Sequence, residues 1–308
     1  MCLYPRIIRN PRYKANKKND GLIIEKINDL RALYVSIGCG QCIECRKQKA
    51  NSWMIRLIEE YKNTDQKSYF ITLTFSNESF LMFKEKYDID NLNEIATKAV
   101  RLFTERYRKI YKKALRHWIV TELGQNNTER LHLHGVLFTP FEIDDKWLRN
   151  LWQYGHSDVG DYCNERTMSY LVKYMLKIDI KHKDYQPKIL CSQGIGKRFI
   201  DKNKRFYKFG DETKEYYNNG KGYKMALPIY YRNHFWNDEE REKLWMRRLD
   251  NDTRYVNKIR IRQFSKNRKQ YFKVLREQQE LNKSLGYGDI SWKKREYKLD
   301  LKKLNIKF

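Results

Sequence analysis

Residues 68–76, SYFITLTFS, alternate apolar and polar side chains with a period of two, the pattern of a half-buried strand. Residues 90–116, DNLNEIATKAVRLFTERYRKIYKKALR, change to helical spacing, with Asp90 or Asn91 placed to cap the first turn. HWIVTEL (117–123) and LHLHGVLF (131–138) return to the strand pattern on either side of the polar run GQNNTER, so 117–138 reads as a hairpin. YGHSDVGDY offers a short fourth strand, and NERTMSYLVKYMLKIDIK (164–181) a helix. The order strand, helix, strand, strand, short strand, helix predicts an α+β layer, an antiparallel sheet of about five strands with helices on one side. Upstream, residues 1–65 hold a cysteine cluster followed by the helical stretch CRKQKANSWMIRLIEEYKN. Residues 201–308 turn basic and aromatic, and YVNKIRIRQFSKNRKQYFKVLREQQELNKSL reads mostly as helix.

Charge narrows the partners. The 308 residues carry 64 Lys and Arg against 38 acids, a formal net charge of +26 that would self-repel unless a polyanion neutralises it. The 23 tyrosines and 7 tryptophans interleaved with the cations favour nucleic acid over an anionic membrane, because bases stack on such rings. In the last 58 residues 17 Lys and Arg face 6 acids, which points to phosphate contacts there. No apolar run is long enough to span a bilayer, and MCLYPRIIRNPRYK lacks a signal-peptide core, so an intracellular protein with no membrane partner is expected.

Several residue types then carry chemistry. In LHLHGVLF, His132 and His134 share one strand face, which suits a metal, a buried hydrogen-bond network or a solvated face alike. Glu122 alternates with Trp118 and Val120 on the preceding strand and can lie across from the histidines. Two imidazoles and one carboxylate would suit Mg²⁺ or Mn²⁺ as a Lewis acid. On a helix over 167–178, Tyr170, Tyr174, Lys173 and Lys177 fall on one face, and Leu171, Val172, Met175, Leu176 and Ile178 on the other. The polar face is either a solvated one or a site for nucleophilic catalysis, with tyrosine attacking phosphorus and lysines offsetting charge. Cys39, Cys42 and Cys45 in CGQCIEC offer three thiolates and Cys2 a fourth, the set for a closed structural Zn²⁺ site, with an iron–sulfur cluster the alternative. Cys163 and Cys191 have no spacing partner and read as small core residues.

FITLTFS, ELGQNNTERLHLHGVLF and YLVKYMLK resemble, in order, the three motifs of HUH-type rolling-circle replication initiators. The whole pattern is most similar to the initiators of gokushovirus-like microviruses, small single-stranded DNA phages, and the likeness continues through CGQCIECRKQKANSW, GIGKRF and GYKMALPIYY, covering roughly residues 1–231. The resemblance implies an HUH nickase core at 66–231, between an N-terminal cysteine segment (1–65) and a basic helical C-terminal region (232–308) that binds DNA or a partner. It implies a metal-dependent, site-specific DNA endonuclease and strand transferase that nicks the phage origin, single-stranded or in the supercoiled replicative form, and leaves a 5′-phosphotyrosine and a free 3′-hydroxyl. His132, His134 and Glu122 would hold the divalent ion. Tyr170 and Tyr174 would be the nucleophiles, with Lys173 and Lys177 beside them; no catalytic residue is assigned to the FITLTFS strand. Host DNA polymerase and helicase would be partners in the host bacterial cytoplasm. A relaxase or HUH transposase shares the same chemistry, and a non-catalytic zinc-containing nucleic-acid-binding protein would need only the cysteines and the basic tail.

Overall fold

The computed structural model describes residues 1–17, 19–23, 27, 29–124, 130–176, 185–220, 222–288 and 291–304. The chain forms two compact units, Met1–Lys49 with Tyr207–Glu215 and Ile229–Phe308, and Ala50–Phe206 with Tyr216–Pro228. In chain order, β1 (Arg6–Arg9) and β2 (Tyr34–Ile37) pair antiparallel, and α1 (Ile43–Asn63) follows, with the unit boundary inside it. Then come β3 (Lys67–Thr74), α2 (Asn77–Tyr87), α3 (Leu92–Tyr111), β4 (Arg116–Leu123) and β5 (Leu131–Thr139). After α4 (Asp145–Leu151), β6 (Ser157–Val159) and α5 (Glu165–Leu171), strand β7 (Ile189–Cys191) completes the large sheet.

That sheet has the order β6-β3-β5-β4-β7, with every neighbouring pair antiparallel, and it bears out the expected α+β architecture with five strands. Its two faces follow from the period of two. Ile71, Leu73, Ile119, Leu133 and Leu137 point to one face and share a core with Ile95, Ala99 and Phe103 of α3, which Asn91 caps through its side chain. Trp118, Val120, Val136 and Phe138 point to the other and pack with Ala50 and Leu57 of α1 and with Met168 and Leu171 of α5. Helices therefore lie on both faces, where the sequence pattern suggested one. The second face is as apolar as the first at Trp118, Val136 and Phe138, so it too must be covered. Gly135 sits where β5 crowds β4: a Cβ there would lie 2.6 Å from the Trp118 carbonyl oxygen.

In the same unit follow α6 (Arg198–Asn203) and the hairpin β8 (Tyr216–Asn218) and β9 (Lys224–Ala226). The other unit holds α7 (Ile229–Phe235), α8 (Asp238–Asp250), β10 (Arg254–Val256), β11 (Ile259–Ile261), α9 (Arg268–Ser284) and α10 (Lys294–Leu304). The run from Tyr255 departs from the helical reading. Residues 254–261 form a hairpin around Asn257, which takes a left-handed conformation with φ +51°, and helix begins only at Arg268. The cysteine segment and the basic C-terminal region, separate in the linear reading, share one core: Leu3, Tyr4 and Cys42 pack with Tyr271, Leu275 and Leu301. The backbone N–H of Ile43 donates to Asn282 Oδ1 at 3.0 Å, and Trp292 Nε1 donates to the Pro5 carbonyl at 2.8 Å.

Candidate active site

The β4–β5 register places Glu122 opposite His132 and Val120 opposite His134. The Glu122 carboxylate reaches diagonally, so that its Oε2 lies 2.9 Å from His134 Nε2, and both side chains are largely buried. From the other neighbour, β3, Thr72 stands opposite His134 with its Oγ1 3.3 Å from His134 Nδ1. Both nitrogens of His134 are thus held. His132 Nδ1–H donates to the Arg130 carbonyl at 2.8 Å, which leaves the Nε2 lone pair of that ring as its acceptor. The two imidazoles are nearly parallel, 4° apart with centroids separated by 6.4 Å.

α5 begins with a capping box between Asn164 and Thr167 and passes at Val172 into a 3-10 turn that ends at Met175. Met168, Leu171, Val172 and Met175 are buried against the sheet, as the predicted apolar face requires. Tyr170 and Tyr174 meet on the other side, where the Tyr174 hydroxyl donates to the Tyr170 oxygen at 3.0 Å. The Tyr174 ring stacks on His134 at 4.1 Å with 7° between planes. Burial, then the hydrogen bond to Tyr170 and the Glu122 charge, hold the Tyr174 phenol well above its ordinary value of 10. Tyr170 is 48% exposed, and Lys173 Nζ lies 5.7 Å from the centroid of its ring. Lys177 lies outside the described residues.

The donor set suits a small divalent cation. A carboxylate oxygen and an imidazole nitrogen 2.9 Å apart have the separation of adjacent ligands on one ion with bonds of about 2.1 Å. A buried carboxylate also requires a compensating positive partner. The three donors of Glu122, His132 and His134 do not draw within 4.8 Å of one another; among the described residues, Cys2, Cys39, Cys42 and Cys45 form the group that does. These four sulfurs could hold a metal such as zinc. Backbone N–H groups already point at them, from Cys39 to Cys2 Sγ at 3.1 Å and from Cys42 to Cys39 Sγ at 3.3 Å. Gly38 leaves room for the cluster, since a Cβ there would press on Cys45 Sγ at 3.0 Å. Cys163 and Cys191 stand apart from it, half-buried, and burial pushes the Cys163 thiol up to about 12.

The comparisons with known proteins fall on this region. Residues 68–179 match the family model of the replication-associated protein ORF2. They span β3, the β4–β5 pair and the tyrosine turn. The chain is also similar to the replication-associated protein ORF2 of Spiroplasma virus 4, with 24% identity over 273 residues that cover 79% of this chain and 81% of the relative. No solved structure matches it. Together these likenesses bear out the resemblance to microvirus replication initiators.

Two neighbours of the site escape a motif reading. Thr72 orients His134, and Phe70 packs beside both His134 and Tyr170, with ring centroids at 6.2 and 6.4 Å. Their signal is present in FITLTFS, where Phe70, Thr72 and Thr74 share a strand face, but only the pairing of β3 with β5 shows what that face meets.

Proposed function

We propose that the chain initiates rolling-circle replication of a circular single-stranded DNA phage genome by nicking the origin through tyrosine attack. What carries the reading is the hydroxyl pair of Tyr170 and Tyr174, 3.0 Å apart, with the Tyr174 ring laid against His134 beside the Glu122 carboxylate. A Tyr170 oxygen attacks the scissile phosphorus, the bond from phosphorus to the 3′-oxygen breaks, and the DNA 5′ end stays on the tyrosine as a phosphodiester. The phenolic proton passes to solvent, which Tyr170 faces, and the departing 3′-oxygen takes up a proton as the new hydroxyl. Lys173, and Lys177 by the same assignment, offset negative charge on the phosphate. Glu122, His132 and His134 would hold Mg²⁺ or Mn²⁺, which when bound polarises the phosphate. Tyr174 serves a second transfer, and attack by a 3′-hydroxyl on the phosphotyrosine rejoins the displaced strand. Host polymerase extends the 3′ end with a host helicase opening the duplex, in the bacterial cytoplasm. Cys2, Cys39, Cys42 and Cys45 hold a structural Zn²⁺.

Labelled single-stranded DNA bearing the phage origin, incubated with the protein and Mn²⁺, should give a covalent adduct that survives denaturation. The Tyr170→Phe/Tyr174→Phe variant should give none while still binding DNA. An undiminished adduct in that variant would exclude the tyrosine pair; tight binding with no adduct in the unaltered protein would favour a non-catalytic binding module.

A further inference from the structure

In the other unit, α9 turns Arg268, Lys269, Lys273 and Arg276 into a groove of about 500 Å³, and α10 turns Lys294, Lys298 and Lys302 into it from the other side. Its floor is Phe272 and Leu301, both buried. Among the described residues no acid lines it. The acids of α10 are engaged elsewhere, Glu296 with Lys293 at 3.5 Å and Asp300 with Lys303 at 2.6 Å. Of the groove cations, Arg276 has a partner, Glu280 at 3.7 Å; the other six make no ion pair among the described residues.

The start of α9 adds an independent sign. Helix N-termini favour acids, yet this first turn has none and opens on Arg268 and Lys269, while Asn267 makes no capping hydrogen bond. Arg268 Nε is buried without a partner among the described residues. Two cations at the positive end of a helix, one of them partly desolvated, oppose folding unless an anion compensates them.

We propose that this groove holds the phosphate backbone of a nucleic-acid strand, irrespective of base sequence and apart from the tyrosine chemistry. Each cation row, Arg268 to Arg276 and Lys294 to Lys302, covers about 12 Å of helix at ~1.5 Å per residue. A strand offering one phosphate per about 3.4 Å can meet such a row repeatedly, which a single phosphate cannot. Lys294 and Lys298 place their ammonium groups 5.4 and 5.1 Å from the centroid of the Phe272 ring. They occupy the aromatic surface that a base would stack on, so the contact is to phosphates and is sequence-independent.

The test uses the full chain with Tyr170→Phe and Tyr174→Phe, so that attachment cannot contribute. Anisotropy of a fluorescent single strand of roughly 30 nucleotides and unrelated sequence is read from about 50 to about 300 mM salt. Lys269→Gln/Lys273→Gln/Lys298→Gln should bind at least tenfold more weakly than the parent at mid-range salt. Its salt slope should fall by about 2, from about 0.7 per lost contact. A control with the same charge change at the exposed Lys109, Lys113 and Lys146 should move the affinity less than threefold. Equal losses in the two triple variants overturn the proposal, because diffuse charge then suffices. So does polyglutamate displacing the strand at lower charge concentration than unlabelled DNA, which would make the groove an acidic-protein site. Lys273→Gln and Lys298→Gln alone should each lower the slope by about 0.7, a reading that stands even where the triple variant fails to fold.

Discussion

At the scale of single residues, the two tyrosines are not equivalent. Tyr174 keeps its proton, since burial holds its phenol above the ordinary value, and it donates that proton to Tyr170. Tyr170 is the more exposed and accepts. We therefore expect the first cleavage to join DNA to Tyr170, with Tyr174→Phe slowing adduct formation and Tyr170→Phe abolishing the first adduct at neutral pH. The same shift sets a sign for stability. An acid whose folded pKa is raised adds stability that is complete below its unfolded value and is lost as pH climbs through the folded one. Alkaline unfolding above about pH 10 should therefore be shallower in Tyr174→Phe, and identical curves would contradict the buried, protonated phenol. Thr72→Val keeps the shape and removes the hydroxyl from His134 Nδ1. A loss of roughly 10- to 100-fold in nicking with unchanged melting is expected, whereas full activity would remove Thr72 from the site.

At the scale of elements, what the sequence reveals depends on how far apart the partners lie. The β4–β5 hairpin and the facing of Glu122 and the histidines follow from alternation in two neighbouring strands, so they are legible. The apolar side of the tyrosine turn is legible for the same local reason, although the backbone there tightens from α-helix into a 3-10 turn. Thr72 was hidden because β3 reaches β5 across 62 residues, and the helix cover on the second face was hidden because α1 is equally distant from the strands it covers. The hairpin at 254–261 was lost to the helix-forming residues around it; Asn257 was its one local sign. Gly135 carries a direct consequence. Gly135→Ala should destabilise the protein by about 1–3 kcal/mol in urea unfolding, since the new methyl meets the Trp118 carbonyl and the Ile119 side chain; an unchanged midpoint would show that β5 can yield.

At the scale of the whole molecule, the linear order of segments is a poor guide to what packs with what. The first residues and the last helix share one core, and the cysteines that close on one another come from Cys2 and a loop 37 residues further on. Counting thiols found the fourth ligand; no periodicity could have joined the tail to it. Metal analysis of the purified chain should find about one zinc, and Cys42→Ser should lose it and melt lower by roughly 10 °C. A metal-free chain of equal stability would set the cluster aside. Among the described residues no helix is long and apolar enough to cross a membrane, and the charge of +26 remains to be met by a polyanion.

The most direct test of the account is to digest the DNA–protein adduct and identify the modified peptide by tandem mass spectrometry. The account predicts a 5′-phosphoryl link to Tyr170 in the peptide that also carries Lys173 and Tyr174, with a free 3′-hydroxyl on the released strand. A link to any residue other than Tyr170 or Tyr174, or a 3′-phosphate on the released strand, would contradict it.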